Sequence, residues 1–154
     1  MDLCTACGLC CSGALFPFVE LTPEESRRLA ARRLPLHDDG RRLHQPCAAY
    51  DGRCAVYEDR PRNCAAYECT VLASVDAGTT TPADALALVA RSRALAISVR
   101  ARVPGDADLW LDVATHAEDS EAWRREHAEL LLDLGTLRRL LGRFRDFGDA
   151  GLRG

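Results

Sequence analysis

Lysine is absent from this 154-residue chain, and all 20 of its basic residues are arginine. Together with the abundance of alanine, that reads as a genome composition bias and not as chemistry. Acidic residues are in slight excess, giving a net charge of −3 and a pI near 5.8. A nucleic-acid footprint normally shows as a basic stripe with a high pI, so no nucleic-acid partner is expected. Aromatic residues make up only 6%, which leaves no evident platform for base stacking. No stretch approaches the roughly 18 to 20 consecutive apolar residues of a membrane span, so no membrane partner is expected. The N-terminus, Met1-Asp2-Leu3-Cys4, lacks the charged segment and apolar run of a secretory signal. The expected compartment is therefore the reducing cytoplasm, where a cysteine pattern is more often metal-binding or catalytic than a disulfide framework. Also missing are a Gly-x-Ser-x-Gly elbow, a phosphate-binding glycine loop and a His-Glu-x-x-His segment. Catalysis by any residue other than metal-bound cysteine has no support in the sequence.

No cysteine follows Cys69, yet eight precede it or stand at it. Cys4, Cys7, Cys10 and Cys11 fall within Cys4-Thr5-Ala6-Cys7-Gly8-Leu9-Cys10-Cys11, and Cys47, Cys54, Cys64 and Cys69 form a second block. Residues 1–18 read as a Gly- and Cys-rich loop, in which Gly8 and Gly13 can take the positive φ that lets a backbone wrap an inclusion. The loop runs into an apolar patch, Leu15-Phe16-Pro17-Phe18-Val19. A helix is predicted from Thr22-Pro23-Glu24-Glu25, with Thr22 as N-cap, Pro23 at the first position and Glu25 closing a capping box. It should end before Pro35, and its arginines Arg27, Arg28, Arg32 and Arg33 read as a solvated face. Residues 35–46 read as a loop or short hairpin around Asp38-Asp39-Gly40. Pro61 should open a short helical turn toward Cys64.

From residue 71 the composition changes. Thr81-Pro82 repeats the helix start, and Leu86, Leu88, Val89, Leu95, Ile97 and Val99 predict a helix of about 16 to 18 residues whose apolar positions form a packing face. Pro104-Gly105 should break it. After Asp119-Ser120 a second helix is expected through Trp123, Leu130, Leu131 and Leu134. Gly135 stops or bends it, and Leu137, Leu140, Leu141, Phe144 and Phe147 extend the stripe. The predicted class is mainly α, with a loop-rich, metal-organised cysteine-cluster module over residues 1–72 and a helical extension over 73–154 packing on it.

Thiols two residues apart can converge on one centre, because a tight loop turns them inward. The series Cys4-x2-Cys7-x2-Cys10 is known from iron–sulfur ligation, three ligands in one loop and the fourth from elsewhere. Structural zinc more often takes pairs from two knuckles. The spacing leans toward a cluster without excluding zinc. Adjacent Cys10 and Cys11 tend to point apart, and so can serve two centres or two sides of one polynuclear centre. Four disulfides and buried free thiols are the competing readings. Even with two divalent centres added, eight thiolates stay anionic, which gives Arg53, Arg60 and Arg62 a role in offsetting charge around the ligands. His37 and His44 lie before Cys47 and are alternative ligands, although a surface role suits them better when eight sulfurs are available. His116 and His127 are read as structural.

The motif at 4–11, the Leu21-Thr22-x-Glu24-Glu25 helix start, and the run from Cys54 through Tyr57, Arg60, Pro61 and Cys64 to Cys69 resemble the YkgJ-type cysteine-cluster family. That family is defined by its presumed chelation of zinc or iron. The resemblance covers about residues 1 to 70, and several spaced motifs occur in the right order. It implies a metal site, with Tyr57 and Arg60 beside the ligands. A similar domain occurs in flagellin lysine methylases that need an iron–sulfur cluster. Nothing in residues 71–154 resembles an S-adenosylmethionine site, so methylase activity is not carried over.

The expected function is thus a metal-binding protein holding zinc or iron, with a [4Fe-4S] cluster among the options, through eight cysteine thiolates. The alternative is an iron- or cluster-dependent redox or modifying enzyme. A third reading is an interaction protein whose C-terminal helices recruit a protein partner.

Overall fold

A computed structural model describes residues 3–103 and 120–145, the side chain of Ala6 excepted. The chain divides into two compact units, Met1–Glu68 and Cys69–Gly154. The fold is mainly α, with a single small sheet among the described residues.

The first unit opens with a short helix, α1 (Leu3–Cys7), where a loop is expected from the glycine and cysteine content. The reason is local. Leu3 to Cys7 contain neither glycine nor proline, and Gly8, at φ 65°, ends the turn in the left-handed conformation that closes many helices. Turns then lead through Gly13, at φ 79°, to strand β1 (Phe18–Glu20). Helix α2 (Pro23–Ala31) carries the full capping box: Glu25 N donates to Thr22 Oγ1 at 3.3 Å, and Thr22 N donates to Glu25 Oε2 at 2.8 Å. Strand β2 (Arg42–His44) pairs antiparallel with β1, Phe18 opposite His44 and Glu20 opposite Arg42. The expected hairpin at 35–46 is present, as Leu36 bridges Leu43 around the turn at Gly40. A 3-10 turn (Tyr57–Asp59) and α3 (Arg62–Ala66), which starts directly after Pro61 as expected, complete the unit. Leu9, Leu15, Leu29, Leu43, Val56 and Pro61 form its closed core.

The second unit begins at α4 (Thr70–Asp76), followed by α5 (Pro82–Arg100), which Thr81 caps by accepting the Asp84 N–H at 3.1 Å. The buried face of α5 is Ala85, Val89, Ser92, Ala96 and Val99. Only Val89 and Val99 of the expected apolar positions belong to it, whereas Leu86 and Ile97 stay exposed. Small side chains win this face because they let α5 approach the large residues of its neighbour. That neighbour is α7 (Ala128–Leu141), which follows α6 (Glu121–Glu126), capped by Ser120, after an interruption at His127. Gly135 neither stops the helix nor ends it, since α7 runs on to Leu141. Leu130, Leu134, Leu137 and Leu141 of α7 are buried with Phe144 beyond it. Thr70 N donates to Phe144 O at 3.1 Å, tying the two ends of the unit. Pro104-Gly105, His116, Asp119 and Phe147 lie outside the described residues. Among the described residues no helix is long and apolar enough to cross a membrane.

Candidate metal centre

Three segments of the first unit bring thiols to one place. The first is α1 and the turn after it, with Cys4, Cys10 and Cys11. The second is the loop carrying Cys47 and Cys54, and the third is α3 with Cys64. Backbone hydrogen bonds join the first two, since Cys47 N donates to Cys11 O at 2.7 Å. Tyr50 N donates to Cys47 O at 3.0 Å, and Tyr50 bridges Cys54 across a tight turn. The third is anchored by Glu25, a buried carboxylate whose Oε1 accepts the Arg62 N–H at 2.6 Å, two residues before Cys64.

These six cysteines, Cys4, Cys10, Cys11, Cys47, Cys54 and Cys64, line one cavity of about 310 Å³. None of the eight cysteines is joined in a disulfide; Cys4 is exposed and the others are half-buried. Cys7 ends α1 and is not among the lining residues. Cys69 opens the second unit, where its Sγ accepts the Leu72 N–H at 3.3 Å and caps α4.

The thiols sense one another. Burial pushes the Cys11 thiol up to about 12, and the neighbouring Cys47, Cys54, Cys64 and Cys4 add to the rise. Burial likewise lifts Cys64 to about 11, with Cys47 and Cys54 contributing and Arg60 partly offsetting them. Cys47 is raised by burial, against the partial relief of the Ala49 N–H. The ordinary thiol value lies near 8.5, so without a cation Cys11, Cys47 and Cys64 hold their protons at neutral pH. A metal ion would have to displace them, because it is the thiolate that ligates.

Among the described residues no three Cys, His, Asp or Glu side chains are grouped tightly enough to hold one metal ion as they stand. Zinc takes sulfur at about 2.3 Å, so ligation requires the thiols to draw inward across the cavity. The chemistry of the donor set fits zinc or iron nonetheless: the cluster is all sulfur, the ligand type that selects zinc and iron–sulfur centres.

Tyr57 and Arg60 stand beside the thiols. The Arg60 guanidinium lies 3.8 Å from the Tyr57 ring centroid, and Nη1 donates to Tyr57 O at 3.0 Å. Both line the cavity. Arg53 and Arg62 are exposed. His37 and His44 stack on each other at 3.6 Å and do not line the cavity. His127 stacks on Trp123 at 4.2 Å, between α6 and α7. Sequence reasoning missed the other wall of the cavity, formed by Phe16, Phe18, Tyr50 and Tyr67 with Leu43 and Gln45. The signal was present: each of these aromatics lies within a few residues of a cysteine or in the apolar patch that follows the first motif.

Searches of curated proteins and of solved structures returned no match. A family model described as "CxxCxxCC: Putative zinc- or iron-chelating domain" matches residues 3–85. That stretch is more than half of the chain and takes in every cysteine, and on this ground the protein belongs to the CxxCxxCC family.

Proposed function

We propose that the chain is a metal-binding protein in which cysteine thiolates hold zinc or iron, the iron either as ions or as an iron–sulfur cluster. The observation that carries this reading is the convergence of six cysteines from three separate segments on one cavity. Cys4, Cys10, Cys11, Cys47, Cys54 and Cys64 form the inner ligand pool, and Cys7, at the end of α1, adds a seventh thiol from the same unit. Tyr57 and Arg60 support the pool, with Arg60 countering the charge of Cys64. Metal binding then supplies folding free energy to a loop-rich unit, about 10 kcal/mol or more for a structural zinc site.

The cavity exceeds what metal ions alone fill, and this favours a second reading, an iron- or cluster-dependent enzyme with an open coordination position. Protein purified without oxygen, analysed for zinc, iron and labile sulfide, tests both. Bound metal that is lost in Cys11→Ser and Cys64→Ser supports the first. Brown protein containing sulfide identifies the iron–sulfur form of the first and keeps the second open, and colourless zinc protein removes the second. If the wild type takes up neither metal, or both variants keep full stoichiometry and the wild-type melting curve, the assignment fails.

A further inference from the structure

We propose that Glu25 is a positioning residue of the metal centre: by accepting the Arg62 N–H it holds Cys64 in place against Cys11, Cys47 and Cys54. The inference rests on the metal reading above and gives Glu25 a part in it that is not ligation.

Helix α3 has little of its own to fix it. It is five residues long, Arg62–Ala66, and a helix that short does not hold its turn in isolation. Its N-cap is Pro61, which offers no side-chain hydrogen bond to the unpaired N–H groups of the first turn. The place of α3 is therefore set from outside. Pro61 is fully buried, Asn63 Nδ2 donates to Glu20 O at 2.9 Å on the exposed side, and Arg62 N donates to Glu25 Oε1 at 2.6 Å. The last of these has an ionised acceptor, which makes such a bond roughly twice as strong as a neutral one. Arg62 and Cys64 belong to the same helical turn, so a bond that fixes the first also fixes the direction in which the thiol leaves the backbone.

The residue type supports this role. Glu25 is 8% exposed, and a buried carboxylate is costly unless it is hydrogen-bonded. For the capping box alone glutamine serves as well as glutamate, and it would avoid that cost. Two N–H donors, however, face the two oxygens, Thr22 N at Oε2 and Arg62 N at Oε1. An amide would turn its NH2 toward one of them, so a carboxylate is needed to serve both. Cys64 lines the cavity, whereas neither Glu25 nor Arg62 does. The carboxylate thus acts through the helix.

Deleting the donor while keeping the helix tests the proposal. Proline suits the first position of a helix, and Pro61, at φ −51° and ψ 146°, already has the extended backbone that a following proline requires. Arg62→Pro therefore removes the N–H, and Arg62→Ala, which keeps it, controls for loss of the exposed side chain. Cobalt(II) titration without oxygen is read by thiolate-to-cobalt charge transfer and by chelator competition. Arg62→Pro should bind about tenfold or more weakly than Arg62→Ala, with less charge transfer per cobalt. In a Cys64→Ser background the same substitution should add nothing, whereas a merely structural loss would be felt in both. Glu25→Ala, which removes the acceptor, should match Arg62→Pro, and it takes the place of that variant if the proline abolishes cooperative unfolding. If Arg62→Pro binds cobalt as Arg62→Ala does, or weakens the Cys64→Ser protein equally, the positioning role is overturned and the metal reading stands. If the wild type takes up no cobalt, the metal reading falls, and alkylation of the metal-free protein decides the anchoring. Iodoacetamide should then modify Cys64 faster in Arg62→Pro than in Arg62→Ala, with Cys47 unchanged, and equal rates at Cys64 overturn it.

Discussion

Substitution of Gly8 by alanine places a side chain where the loop between Cys7 and Cys10 has no room for one. Gly8 sits at φ 65°, and a β-carbon built there overlaps Oη and Cζ of Tyr50 and comes within 2.9 Å of Cε1. Two costs arise, and they are separable. The left-handed conformation costs an L-residue about 1 to 2 kcal/mol whatever its surroundings. Displacing the half-buried ring, whose backbone is tied to Cys47, adds about 1 to 3 kcal/mol of overpacking. Gly8→Ala should therefore lose about 2 to 5 kcal/mol in urea unfolding at fixed metal load, and release metal at a lower chelator concentration than wild type. The second cost vanishes if the ring is removed. In a Tyr50→Ala background Gly8→Ala should cost only the backbone part, about 1 to 2 kcal/mol. Tyr50→Phe should give little relief, because Cζ remains in the way. An equal cost of Gly8→Ala with the Tyr50 ring present and with it truncated to a methyl group would refute the packing argument and leave only backbone strain.

Glu25 offers a second perturbation. Burial pushes its carboxyl up, but the N–H groups of Arg62 and Thr22 outweigh that and hold it below the ordinary value. Its folded pKa is depressed, so its contribution is complete above the unfolded value, about 4.3, and is lost as the pH falls through the folded one. Glu25→Gln should cost about 2 kcal/mol at pH 7, and the gap between the wild-type and variant curves should narrow progressively as the pH falls below about 4.3; a gap that persists unchanged to pH 3 would contradict this. Ser92 is fully buried in α5 with an Oγ that lacks a hydrogen-bond partner. Ser92→Ala should raise the stability of the second unit by about 1 kcal/mol, through relief of the hydroxyl and better helix propensity, and a lower Tm for the variant would show the hydroxyl to be satisfied in solution. In the first unit the stacked His37–His44 pair disfavours the charged ring. Burial first, then His44 and Arg42, lower the His37 pKa, so the neutral ring is favoured and stability should fall below about pH 6.5; a His37→Phe variant should flatten that slope.

Much of the local structure was readable because its causes lie within four residues. The Thr22–Glu25 capping box and the Thr81-Pro82 start place α2 and α5, as their hydrogen bonds and fixed φ are written in adjacent positions. Gly8 and Gly13 were expected at positive φ and are found there. The density of thiols before Cys69 marked a metal site because packing alone seldom requires such a cluster, and the family match agrees. Other features escaped. The α5 face was misjudged because hydrophobicity ranks leucine above alanine, while close approach to the leucines of α7 rewards the smaller side chain. The break at His127 between α6 and α7 left no proline or glycine to announce it.

Residue types, spacings and helix caps thus belong to the linear chain, since each is decided by neighbours in it. Which six of the eight thiols share a cavity, that the aromatics of the first unit form its other wall, and that Glu25 reaches across 37 residues to Arg62 were settled only on folding. Such contacts depend on the summed packing of distant segments, and no local spacing records that sum.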